Sequence, residues 1–311
     1  MEPLERRFVP SQAVDLRQTL GIHWRGSADP TMRFSRDGSA WRTSRTPDGP
    51  ATIRLVPDGD FIRAQAWGPG AAWAIEQAPE LVGADDDPRG LPALVGGHRL
   101  LRDLLARFPG IRVGRTCRVL EALVPAIIEQ KVTGGEARAA FVALVRRHGE
   151  PAPGPWETEG RPAPMRVAPA PEVLAGLPGY AYHPFGLERR RADAIRFAAS
   201  RVARVEECAA MALPDAYARL RALPLVGPWT VAEVGLRALG DPDAVSVGDF
   251  HLCHAVCLVL AGEPRGTDER MLELLAPFAG HRARVVRLIE VAGIYTPRRG
   301  PRYAPRSITD M

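Results

Sequence analysis

A chain of 311 residues, 46% apolar and 25% charged, can bury one large globular core or two smaller ones. It has no apolar run of about 18 residues, which excludes a membrane-spanning helix. Its opening residues, MEPLERRFVPSQAVDLRQ, lack the apolar core of a secretory leader, so a cytoplasmic location is expected. The formal charge of +5 and the pI near 9.4 permit a nucleic-acid partner without requiring one.

The first 70 residues predict antiparallel sheet. Asp-Gly pairs stand at 37–38, 48–49 and 58–59, each between short runs with partial alternation (MRFSR, AWRTSR, ATIRLV, FIRAQAW). Asp-Gly between alternating runs is a strong hairpin signal, so a β-meander over about residues 30–68 is expected. A helix over 72–82 and a polar linker, GADDDPRG, follow. From about residue 95 the pattern is helical. Leucines 100, 101, 104 and 105 mark one helix, and apolar positions 119, 120, 123, 124, 127 and 128 mark a second, with Pro125 inside it as a kink or a cost. Thr133 and Glu136 have capping-box spacing and open a third helix to about Arg147. Gln130-Lys131-Val132 is then a short exposed loop. Residues 151–171 hold seven prolines and are expected to be a loop or insertion, not a core element. Further helices are expected over 187–205, 214–222, 228–239, 250–261, 268–276 and 283–292, with an irregular basic tail.

Cys117, Cys208, Cys253 and Cys257 include no C-x-x-C pair, so neither a zinc site nor a disulfide framework is suggested. Cys253 and Cys257, a helical turn apart, are expected to be buried thiols. Seven arginines against one acid, Glu290, lie between Arg282 and Arg306. Lys131 is the only lysine.

The segment LPLVGPWTVAEVGLRALGDPDAVSVGDF, residues 223–250, carries the chemistry. Pro224 to Gly227 turns the chain between two helices, and Pro228 suits the first position of the second helix, where its missing N–H costs nothing. The amides of Gly227 and Trp229 would then face a phosphate at a positive helix end. A plain αα-hairpin without ligand fits this stretch equally well. Asp249 precedes a helix, and Ser246-Val-Gly-Asp249 has capping-box spacing. It reads either as a cap or as a cap with one oxygen free to activate water or stabilise a cationic sugar.

Together the hairpin, the following helix and Asp249 resemble the signature of the HhH-GPD DNA glycosylases, in the 3-methyladenine DNA glycosylase II (AlkA-like) branch. Leu223–Thr230 matches that branch's hairpin, the likeness extends to Leu120–Gly149, Phe185–Arg196 and Gly280–Leu288, and the N-terminal meander fits the branch's β-domain. The resemblance implies an α+β chain: an N-terminal antiparallel β-domain over residues 1–92 and a helical HhH-GPD core of two lobes over 93–311, with a Pro-rich insertion at 150–171. It implies base excision from double-stranded DNA, with the damaged nucleotide flipped into a pocket. An alkylated purine already carries positive charge and needs no general acid, so Asp249 suffices as the catalytic carboxylate, where glycosidases usually need two.

The resemblance also assigns Trp229, Glu233 and Glu290 to the substrate pocket, and Gln130, Lys131, Val226, Gly227, Trp229 and Thr230 to DNA binding. Lys131 would fill the gap left by the flipped base. Trp229 stands where strand-nicking relatives carry a lysine, so no lyase activity is expected. No cysteine follows Cys257, so no iron–sulfur cluster and no other cofactor is expected, while the hairpin has room for a monovalent cation. A monomer is expected. Three residues depart from the family. Leu225 stands where the hairpin's first glycine usually lies, and Glu233 and Glu290 where pocket aromatics are found. Glu233 also suits a first-turn acid and Glu290 a solvated surface acid. Two alternatives stay open: a same-fold glycosylase for a deaminated base such as hypoxanthine, and a non-catalytic DNA-binding protein.

Overall fold

The computed structural model describes residues 2–156 and 164–295. Five antiparallel strands form one sheet: β1 (Leu4–Phe8), β2 (Met32–Phe34), β3 (Ala40–Thr46), β4 (Gly49–Asp58) and β5 (Phe61–Trp67), in the order β1-β5-β4-β3-β2. The three Asp-Gly pairs make the three hairpin turns. Gly38, Gly49 and Gly59 all take positive φ, the conformation such turns require. Strand β1 lies outside the expected meander. It completes the sheet by pairing with β5, Leu4 opposite Ala66, a long-range contact that local alternation does not announce. Helices α1 (Leu16–Leu20) and α2 (Ala71–Leu81) cover one face over Ile53, Leu55, Ala64 and Ala66.

The helices continue as α3 (Leu91–Leu94), α4 (Arg99–Arg107), α5 (Val119–Ile128), α6 (Gly134–His148), α7 (Pro171–Gly176), α8 (Arg189–Ala199), α9 (Val202–Glu206), α10 (Leu213–Arg221), α11 (Pro228–Val234), α12 (Leu252–Ala261), α13 (Asp268–Leu275) and α14 (Arg282–Val291). The capping box at α6 forms in full: Thr133 Oγ1 accepts from the Glu136 amide at 3.3 Å, and Glu136 accepts from the Thr133 amide at 2.8 Å. Helix α5 keeps Pro125 in its interior and is buried from Val119 to Ile128 except at Glu121. That acid reaches the sheet, accepting from Arg42 at 2.9 Å and Ser44 at 2.8 Å.

Two helical cores result. One joins α5, α6, α8, α10 and α11; the other joins α4 with α12, α13 and α14, so chain segments before and after the first core share the second lobe. Cys253 and Cys257 are buried in that second core as free thiols.

The Pro-rich segment departs from expectation. Its ends pair as β6 (Glu150–Pro151) and β7 (Arg166–Val167), and Ala152, Met165 and Val167 are buried against Trp41 and Trp67. Trp156 joins the stack, 5.6 Å from Trp41. Large aromatic surface on the sheet face opposite α2 needs cover, and the apolar residues among the prolines supply it. Residues 157–163, and the tail arginines 298, 299, 302 and 306, lie outside the described residues. The other three arginines of the basic stretch are engaged internally: Arg282 with Asp243, Arg284 with Asp86, Arg287 with Glu290.

Where the sheet meets the helices, His23, Arg25, Arg42 and Arg237 line a cavity of about 60 Å³. Burial, with the charges of Arg42, Arg237 and Arg25, holds the His23 imidazole well below its usual 6.5. The unfolded chain therefore takes up a proton that the native chain refuses. Stability is expected to fall as pH drops below about 6.5, by up to about 1.4 kcal/mol per pH unit for this group. Burial pushes the Glu129 and Glu206 carboxyls upward, which acts with the opposite sign. Comparison with His23→Gln isolates the histidine: urea unfolding between pH 6.5 and 5 should show a flatter slope in the variant, and equal slopes would refute this assignment.

Candidate active site

Helices α10 and α11 form the two arms of the hairpin. The turn closes with the Val226 amide donating to Leu223 O at 3.2 Å, and Gly227 is extended before Pro228 opens α11. The first amides of a helix have no intrahelical acceptor, so Gly227 and Trp229 present donors at the positive end. Leu225 adopts φ +61, the left-handed region, where a β-carbon costs about 1–2 kcal/mol. Leucine thus holds the glycine conformation and also packs against the first helical core. Leu225→Gly should be about 1 kcal/mol more stable than Leu225→Ala, because both lose the packing but only alanine keeps the strain. Chemical denaturation of the pair checks this, and alanine as the more stable variant would contradict it.

Gln130 ties the loop after α5 to this turn. Its Nε2 donates to Leu225 O at 2.8 Å and to Thr230 Oγ1 at 2.9 Å. Lys131 beside it is exposed, with φ +56. Val226 and Thr230 are buried at 6% and 2% exposure, so their side chains build the hairpin and face inward.

After α11 the chain makes one π-helical turn, Gly235–Leu239, and enters the segment that carries the acid. This segment is pinned along its length. Tyr217 donates to Asp241. Asp243 accepts from the Gly280 amide at 2.8 Å and pairs with Arg282. Ser246 Oγ donates to Glu233 Oε1 at 2.5 Å, and the Gly248 amide donates to Asp268 at 2.9 Å. Gly248 has φ +94, and a β-carbon there would stand 4.0 Å from that of Trp229, so the acid-bearing loop and the hairpin helix are neighbours.

Asp249 itself is half-buried at the start of α12. Its Oδ1 accepts from the amides of His251 at 2.8 Å and Leu252 at 2.9 Å; among the described residues no donor reaches Oδ2. Asp249 is the cap, and the expected Ser246 capping box does not form: the Asp249 amide donates to the Ser246 carbonyl at 3.2 Å and not to its hydroxyl, which donates to Glu233.

Glu233 has both oxygens engaged, by Ser246 and by Arg237. Glu290 is exposed and pairs with Arg287 at 2.7 Å, while its charge also acts on Arg237. The sequence offers Ser246 only as a capping-box residue and does not single out Arg237, although Arg237 stands at the i,i+4 helical ion-pair spacing from Glu233; only the fold brings Ser246 to Glu233. Phe250 is 78% exposed immediately after the acid, edge-on to His251 at 5.0 Å between ring centres.

No family model matches the chain. Over 74% of its length it is 30% identical to the probable bifunctional transcriptional activator/DNA repair enzyme AlkA of Mycobacterium tuberculosis, of which the match covers 46%; the chain spans about half the length of that relative. The 3-methyladenine DNA glycosylase of Archaeoglobus fulgidus superposes with a TM-score of 0.76, covering 91% of this chain and 97% of the other at 21% identity. The Clostridium acetobutylicum 8-oxoguanine glycosylase/lyase, solved with double-stranded DNA, gives 0.69 over 93% and 96% at 12% identity. The chain belongs to the AlkA-like branch of the HhH-GPD family. Its α+β architecture is that of these glycosylases.

Proposed function

We propose that this chain is a monofunctional DNA glycosylase that flips an alkylated purine out of duplex DNA and hydrolyses its N-glycosidic bond. The observation that carries this reading is the divided carboxylate of Asp249. The cap bonds fix Oδ1, no donor among the described residues reaches Oδ2, and the adjoining Gly248 lies beside the hairpin helix. A carboxylate so held can steady an oxocarbenium-like sugar or orient a water without moving. The cationic purine leaves without a proton donor, so a single acid is enough.

Double-stranded DNA is the partner in this reading. The amides at Gly227 and Trp229 take a phosphate, which needs no base identity. Trp229 forms a wall of the base pocket and Glu290 stands at its rim. Lys131, carried on the loop that Gln130 fastens to the hairpin, fills the gap left by the flipped nucleotide with its stem and meets a phosphate with its ammonium. Trp229 in the place of a lysine leaves no Schiff-base amine on the hairpin helix, and strand nicking is not expected. No helix among the described residues is long and apolar enough to cross a membrane.

Purified protein incubated with duplexes holding 7-methylguanine, 3-methyladenine, hypoxanthine or uracil tests this. Release of the alkylated purines is expected, with DNA affinity falling steeply as salt rises because phosphate contacts dominate binding. Release of hypoxanthine alone would move the substrate to deaminated bases. Binding with no base released from any duplex would leave a DNA-binding protein without catalysis.

A further inference from the structure

Sequence offers Glu233 as a pocket acid facing a cationic base, but its surroundings assign it other work. Its side chain is 12% exposed, Oε2 pairs with the Arg237 guanidinium, and Oε1 accepts from Ser246 Oγ at 2.5 Å. Arg237 is itself 18% exposed, and its Nε donates to Ile22 O at 3.2 Å, on the N-terminal side of the molecule. Burial opposes its charge, yet Glu233, Glu129 and Glu290 hold the guanidinium above its usual range. A carboxylate already neutralised by a buried guanidinium has little attraction left for a second cation. It has a strong grip on a hydroxyl, because hydrogen bonds to an ionised acceptor are about twice as strong as neutral ones.

Ser246 stands three residues before Asp249, and the intervening Gly248 has no side chain to anchor it. Downstream the backbone is held by Asp268 at Gly248; upstream it is held by Asp243 to Arg282. Those bonds tie the acid's loop to the second helical lobe. Ser246–Glu233 ties it to the hairpin helix.

We propose that Glu233 is a positioning residue. Through Ser246 it sets where the Asp249 carboxylate stands relative to the phosphate-facing hairpin, and it does not contact the base. This rests on Asp249 being the catalytic carboxylate. A shift of about 1 Å in such a group costs up to about 100-fold in rate.

Single-turnover base release at saturating enzyme tests the proposal, using duplexes with 7-methylguanine, a cationic leaving group, and hypoxanthine, a neutral one. On every duplex that the wild type cleaves, Ser246→Ala and Glu233→Met should each slow release about 10- to 100-fold, with duplex affinity unchanged. The double variant should be no slower than the slower single, as for residues acting through one contact. Ser246→Thr, and Glu233→Gln with its amide oxygen still able to accept, should recover most of the rate. Wild-type release by Ser246→Ala, additive losses in the double variant, or a loss in Glu233→Gln confined to 7-methylguanine would overturn it.

If the wild type releases neither base, the catalytic reading fails. Hydrogen exchange then decides the positioning: amides 244–250 should exchange faster in Ser246→Ala, and unchanged exchange there would overturn the tether.

Discussion

Asp249→Asn is expected to fold, to bind duplex DNA as the wild type does, and to release base about 10²–10³-fold more slowly. The substitution separates the capping seen in the structure from the catalysis proposed for this residue. Asparagine is as good a helix cap as aspartate, so the bonds from the His251 and Leu252 amides survive and stability should hardly change. What disappears is the negative charge at the free oxygen, the group proposed to face the cationic sugar. Asp249→Ala removes both and should also lose about 1 kcal/mol of stability with the cap. Single-turnover kinetics beside urea denaturation and a binding titration separate these effects. Full activity in the asparagine variant would leave Asp249 as a cap and nothing more.

The largest loss of stability is expected at Asp86. Its carboxylate pairs with Arg284 across 198 positions of sequence, and both side chains are 7% exposed. Its second oxygen accepts from the Val113 amide at 3.2 Å. The pair fastens the linker after α2 to α14 and so joins the N-terminal unit to the second lobe. Asp86→Ala leaves a guanidinium buried without its acid, which costs about 3–5 kcal/mol. The double variant Asp86→Ala/Arg284→Met should be more stable than Asp86→Ala alone, because the cost lies in the orphaned charge and not in a lost attraction. Urea midpoints for the three chains decide it. A loss below about 1 kcal/mol for Asp86→Ala would show that water reaches the guanidinium.

Glu233 and Gln130 show where reading by position stops. Each stands at a place that the family resemblance marks for contact with base or DNA, and each is found bonded to its own fold. Gln130 spends its amide on Leu225 and Thr230, and Glu233 its carboxylate on Ser246 and Arg237. Gln130 lies 95 residues from Leu225, and no periodicity or spacing encodes that meeting. Arg237 stands at the i,i+4 helical spacing from Glu233, whereas Ser246, 13 residues on, meets it only through the fold.

The sequence by itself determined the elements whose causes are local. Asp-Gly turns between alternating runs made the meander, Thr133 and Glu136 capped α6, and proline after Gly227 opened α11. These depend on backbone geometry and near neighbours. The pairing of β1 with β5, the cover that the Pro-rich ends lay over Trp41 and Trp67, and the sharing of the second lobe between α4 and the last helices were decided only by the tertiary structure. So were the left-handed Leu225 and the Ser246–Glu233 tether. The physical reason is common to all five: buried apolar surface and buried polar groups take whichever partner the packed chain brings within reach, and that partner's place in the sequence is free.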